Sequence, residues 1–135
     1  MTAVFLHPSS KSFNIAMNGL ALTFPKEKAT LVVKKIALEV LSRLVLKTPV
    51  DTGRARGNWQ VTVNSPATTW EDTKDKGGGA TIGKGTSVIM AEDDLPHFWI
   101  TNNVPYITRL EEGHSDQAPT GMAENTVNEL KVIFG

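Results

Sequence analysis

TPVDTGRARGNWQ, residues 48–60, joins two segments of different period. Before it, Val33, Ile36, Ala37, Val40, Leu41 and Leu44 recur at three- and four-residue spacing between Lys26 and Lys47, while Lys35, Glu39 and Arg43 stack at four-residue intervals on another side. That spacing predicts an amphipathic helix about 30 Å long at the usual rise per residue. Pro25 stands near its start, where proline is tolerated, and Pro49 disfavours helical geometry at Thr48. After the joint, Trp59, Val61 and Val63 alternate with Asn58, Gln60 and Thr62, the pattern of a half-buried strand. The stretch between therefore has to turn a helix into a sheet. Asp51 can cap the turn by accepting from backbone N–H groups, and Gly53 and Gly57 permit conformations or close approaches closed to other residues. Arg54 and Arg56 project forked donors suited to carboxylates, in this subunit or across to another; the plainer reading is two solvated surface arginines.

The chain has 135 residues, enough for one domain that buries roughly two thirds of the surface its extended form exposes. Apolar residues make up 40% and charged residues 21%, which argues against disorder throughout, and no apolar run approaches the ~20 residues that span a bilayer. The first residues carry no basic segment followed by an uninterrupted apolar one, so no export signal and a soluble protein are expected. Cysteine is absent, which rules out disulfides, a thiolate nucleophile and Cys-based zinc sites. Net charge is formally zero, but residues 1–70 hold nine Lys/Arg against three Asp/Glu, and residues 71–135 hold five against eleven. One basic and one acidic flank would suit identical subunits meeting head to tail, whereas simple mixing on one surface is the plainer alternative. The overall balance is unlike that of a general nucleic-acid binder.

The rest of the chain reads less sharply. AVFL, residues 3–6, suggests a short strand, and FNIAMNGLAL, residues 13–22, a helix or a second strand. Residues 64–85 are rich in Gly, Asp, Lys and Thr, show no period and are expected to form a flexible or docking loop, with Trp70, Gly77, Gly78 and Gly79 as its marked residues. A large aromatic such as Trp70 in a polar loop either waits for a partner surface or folds back onto its own domain. TSVIMAEDDL, residues 86–95, suggests a short helix and HFWITN, residues 97–102, a strand with Phe98 and Ile100 on one face. Pro105 and Gly113 bracket a turn and a short helix. Ala123, Val127, Leu130 and Phe134 stand at helical spacing in a closing helix that Pro119 precedes. The sum is a single α+β domain over residues 1–135, with an antiparallel sheet packed against a long helix in the N-terminal half and a C-terminal helix, and with the long Gly-rich loop between. Residues 1–25 form an N-terminal segment of unassigned structure.

No catalytic, metal or cofactor site is expected. Gly78, Gly83 and Lys84 have the spacing of a phosphate-binding loop, but Gly85 replaces the magnesium-binding hydroxyl and the preceding EDTKDK is no buried strand. His7, His97 and His114 lack metal-ligand spacing, and Glu111, Glu112, His114 and Asp116 read as a solvated polar turn. The serines near His114 and Asp116 sit in no nucleophile pattern.

Two blocks carry a family resemblance: residues 48–60 and ITNNVPYITRLEEGHSDQAPTGM, residues 100–122. In this order, with the Gly-rich spacer and the final helix, residues 26–134 resemble the tail-completion or neck proteins of long-tailed bacteriophages, the group that includes the minor tail protein Z of phage lambda. By position, the motif falls on Pro49, Asp51, Thr52, Gly53, Arg54, Gly57 and Trp59 in the first block. In the second it falls on Asn102, Asn103, Pro105, Tyr106, Leu110, Glu111, Gly113, Ser115, Gln117, Ala118, Pro119, Gly121 and Met122. The chain departs from the pattern at Glu112, His114 and Asp116. The resemblance implies helices against an antiparallel sheet, no catalysis, and a ring at the head–tail junction, expected as a hexamer. Implied partners are further copies of the chain, the head-connector or head-completion protein and tail-terminator or tail-tube proteins, with nonspecific contact to channel DNA and none to a membrane. Its place would be the virion, and the host cytoplasm during assembly. Head closure or tail termination is the alternative role, and a small phage-encoded enzyme a more distant one. A pairing of Arg54 with Glu111 is expected to join the two blocks.

Overall fold

The structure, a computed structural model, describes residues 2–6, 12–17, 25–50, 52–93, 96–107 and 126. Its elements in chain order are β1 (Thr2–Leu6), β2 (Ser12–Met17), α1 (Lys26–Lys47), α2 (Arg54–Gly57), β3 (Gln60–Val63), α3 (Gly79–Met90) and β4 (Phe98–Thr101). The strands form one antiparallel sheet in the order β1-β2-β4-β3, with Val4 opposite Ile15, Phe13 opposite Ile100 and Val61 opposite Ile100. This is an α+β fold, and residues 13–17, left open between helix and strand, are strand.

Helix α1 occupies the span its periodicity predicts, and the six residues of its apolar face are all buried. They meet Trp59, Val61, Phe98 and Ile100 in one core cluster. Each fully buried Leu, Val, Ile or Phe contributes about 1.5–3 kcal/mol, so among the described residues α1 and the core face of β3 and β4 contribute most to cohesion. On the other side of α1, Arg43 Nε meets Glu39 Oε2 at 3.3 Å. The helix ends where Thr48 becomes extended ahead of Pro49; the Thr48 N–H donates to the Leu44 and Val45 carbonyls and its hydroxyl to the Leu44 carbonyl at 2.5 Å.

The expected loop over residues 64–85 is shorter than its composition suggests. Residues 79–90 form α3, which packs on α1 and β3 and replaces the short helix expected over residues 86–95. Glycine costs about 1 kcal/mol in a helix relative to alanine, but Gly85 is what lets the helices approach: a Cβ there would stand 2.5 Å from Leu41 Cδ2 and 2.8 Å from Val61 Cγ2. Gly78 begins α3 with φ +82°, the left-handed conformation glycine adopts without strain. Gly83 and Lys84 lie inside this helix, and no strand runs into Gly78, so the phosphate-loop arrangement is not formed.

Thr126 is helical and buried; the remaining residues of the expected closing helix, and the acidic turn at residues 108–118, lie outside the described residues. Among the described residues no helix is long and apolar enough to cross a membrane.

Candidate functional site: the joint between helix and sheet

The joint of residues 48–60 is built by side chains that bond to backbone. Arg56 has the largest reach. Its Nη2 donates to the Leu46 and Thr48 carbonyls at 3.0 and 2.9 Å, and its Nη1 to the Lys76 carbonyl at 2.8 Å. The last carbonyls of a helix lack intrahelical donors and carry the negative end of its dipole, so a guanidinium there both caps α1 and binds the segment beyond. Its Nε is buried with no hydrogen-bond partner. Arg56 thus serves carbonyls, where the sequence suggested carboxylates or solvent.

Arg54 does meet a carboxylate of the acidic half, Asp72, with Nε to Oδ1 at 2.8 Å, and its guanidinium lies 5.9 Å from the centroid of the Trp70 ring. The expected partner Glu111 lies outside the described residues; the contact that is described is with Asp72. The reason is proximity: the chain after β3 turns at Asn64 and runs back along the joint, bringing residues 69–76 against residues 53–60. Both partners are substantially exposed, so the ion pair is worth under ~1 kcal/mol.

Gly53 is the tightest point. It has φ +89°, its carbonyl accepts from the N–H groups of Gly57 at 2.8 Å and Asp75 at 3.0 Å, and a Cβ there would come within 2.7–2.9 Å of the Asp75 and Lys76 backbone. Gly57 is close as well, 3.0 Å from the Thr73 carbonyl at its hypothetical Cβ. Thr52 Oγ1 accepts from the Arg54 N–H at 3.3 Å, the local capping expected of Asp51, which lies outside the described residues. Trp59 is buried and its indole N–H donates to Thr48 Oγ1 at 2.7 Å, fixing the strand start to the helix end.

Asn58 makes three bonds to two residues: Nδ2 donates to the Arg54 and Glu71 carbonyls at 2.7 and 2.8 Å, and Oδ1 accepts from the Glu71 N–H at 2.9 Å. Asp75 organises the start of α3, accepting from the Gly78 N–H at 3.1 Å, and from the Thr81 N–H and hydroxyl at 2.8 and 2.7 Å. The Thr81 bonds, hydroxyl first, hold its carboxyl below the usual aspartate value, with smaller help from Gly78 and Arg56 against desolvation. The stabilisation from this depressed pKa is present above the unfolded value and is lost as pH falls through the folded one.

The second block closes on the first. Asn102 is fully buried; its Nδ2 donates to the Ala55 carbonyl at 2.7 Å and its Oδ1 accepts from the Val104 N–H at 3.1 Å. Asn103 reaches the loop, donating to the Ala67 and Thr69 carbonyls at 2.8 and 3.1 Å. Pro105 and Tyr106 form an exposed turn between buried Val104 and Ile107. Leu110, Glu111, Gly113, Gln117, Ala118, Pro119, Gly121 and Met122 lie outside the described residues.

Of the loop residues singled out, Trp70 is half exposed on the Arg54 side chain, Gly77 and Gly79 have open space where a Cβ would stand, and Gly78 is buried. Sequence reasoning missed Thr48, Asn58, Asp75 and Thr81. An Asp shortly before a glycine-started helix is the one signal that could have pointed to Asp75. Among the described residues no group of three or more His, Asp or Glu converges as a metal site. Comparison of the chain with protein-family models, with curated proteins and with solved structures found no match.

Proposed function

We propose that this chain is a structural subunit of the head–tail junction of a long-tailed bacteriophage, a tail-completion or neck protein that closes into a ring in the virion. The observation that supports this reading best is the bond from Asn102 to the Ala55 carbonyl. It makes one joint of the two separated blocks on which the family resemblance rests. Among the described residues of the motif, Thr52, Asn102 and Asn103 bond to backbone groups of their own chain, which supports a shape-holding role. The role is then geometric: the joint sets the angle between α1 and the sheet and presents Trp70, Arg54 and Tyr106 to a neighbouring copy or to a connector or tail protein. A ring needs two different surfaces per subunit, and the opposite charge of the two chain halves is compatible with such a closure.

The test is the molar mass of the purified protein by light scattering over a wide concentration range, with negative-stain images of the same fractions, alone and after addition of the connector and tail proteins encoded beside it. Closed rings in either condition are expected. A chain that stays monomeric alone and with every such protein overturns the reading.

A further inference from the structure

Helix α3 buries little along its length and is held at its ends. Of its twelve residues Thr81, Gly85 and Ile89 are buried, one row at four-residue spacing, and Ile89 is the single large apolar side chain in that row. Ile82 and Val88 are partly buried against the core. The row closes on α1 and β3, where Gly85 lies over Leu41 and Val61. The sequence of α3 works against a helix: Gly83 and Gly85 lower its propensity, and Thr81, Ile82, Thr86 and Val88 are β-branched. Gly85 is required by the close packing, but a Cβ on Gly83 would meet open space, so no contact accounts for a glycine there. Isolated helices shorter than about 12–15 residues are marginal in water even when rich in alanine.

Helix α3 has no acidic residue in its first turn and no basic residue in its last. Charges that complement its dipole come from outside it. At the N-terminal end the Asp75 carboxylate accepts from the Gly78 N–H and from the N–H and hydroxyl of Thr81. At the C-terminal end Lys34, a buried residue of α1, donates from Nζ to the Met90 carbonyl at 3.2 Å. Few buried apolar side chains and low intrinsic propensity put an element at the low-stability end of a fold. Helix α1, whose apolar face is buried throughout, belongs to the opposite end.

We propose that α3 is a cover latched at both ends, by Asp75 at its start and Lys34 at its finish, which opens as a unit while α1 and the sheet stay folded. On opening it loses its helix, because so short and glycine-rich a segment does not hold one in water, and it uncovers Leu41 and Val61. The inference stands on α3 and its two ends and does not depend on the assembly role proposed above.

The test is amide hydrogen exchange of the full chain under native conditions at rising urea concentration. The N–H groups of Thr86, Val88 and Ile89 are expected to exchange faster than those of Ala37, Val40 and Leu44 and to depend less on urea, since opening α3 exposes less surface than unfolding the whole chain. Ile36→Val trims a buried side chain on the side of α1 away from Lys34 and Leu41; it should speed exchange in α1 about fivefold and leave α3 unchanged. Lys34→Met keeps the stem and removes the donor, and should speed exchange in α3 about fivefold or more. Gly83→Ala, which adds a methyl group in open space, should slow exchange in α3 about fivefold. One rate and one urea dependence shared by both helices, or an equal response of both to Ile36→Val, would overturn the proposal by making α3 part of a single cooperative core. Exchange in α3 indifferent to Lys34→Met would remove the latch, and exchange indifferent to Gly83→Ala would mean that the helix survives opening; either result also overturns it.

Discussion

Helix α1 and the segment 64–78 stand against each other, one held by what it removes from water and the other by hydrogen bonds aimed at its backbone. The apolar face of α1 is buried to within a few per cent and touches β3, β4 and α3 at once. The segment buries little: most of its residues are exposed, Gly78 being the buried exception. Its course is set by Asn103 at Ala67 and Thr69, Gln60 at Thr69, Asn58 at Glu71, Gly53 at Asp75 and Arg56 at Lys76. The difference teaches that a polar, glycine-rich stretch without periodicity can still be anchored, provided the donors and acceptors come from elsewhere in the chain.

The two means of anchoring fail differently. Leu41→Ala removes a buried side chain that packs under Gly85 and should cost about 2–5 kcal/mol. Urea denaturation should report it as one global loss, with fluorescence and circular dichroism moving together. Gly53→Ala should cost less, about 1–3 kcal/mol, because it forces a side chain into a left-handed conformation and against the backbone of Asp75 and Lys76. Limited proteolysis should then cut within residues 66–78 while α1 stays intact. If Gly53→Ala instead unfolded the chain as fully as Leu41→Ala, the joint would belong to the core and the contrast would be lost.

The same contrast explains what could be read in advance. The bounds of α1 follow from Pro25, Pro49 and a three-and-four spacing, and β3 and β4 follow from alternation at Trp59–Val63 and Phe98–Ile100. These are local signals of burial. Helix α3 was hidden because Gly79, Gly83 and Gly85 lower helix propensity, and the reason for Gly85 lies in Leu41, distant in sequence. The hydrogen-bonding roles of Asn58 and Asp75 were hidden for a related reason: an Asn or Asp in a polar stretch looks the same whether it faces water or a carbonyl. Asn102 was singled out through the family resemblance, and its bond to Ala55 supplies the physical role that the resemblance lacked.

The central claim is that the two blocks form one joint that pins the 64–78 segment, and native-state amide hydrogen exchange tests it most directly. The N–H groups of Glu71, Asp75, Gly78 and Thr81 donate to Asn58, to Gly53 and to the Asp75 carboxylate. They should exchange more slowly than unstructured peptide by about a hundredfold or more, as groups released only by local opening do. Exchange of all four at the unstructured rate, with α1 still protected, would contradict the account.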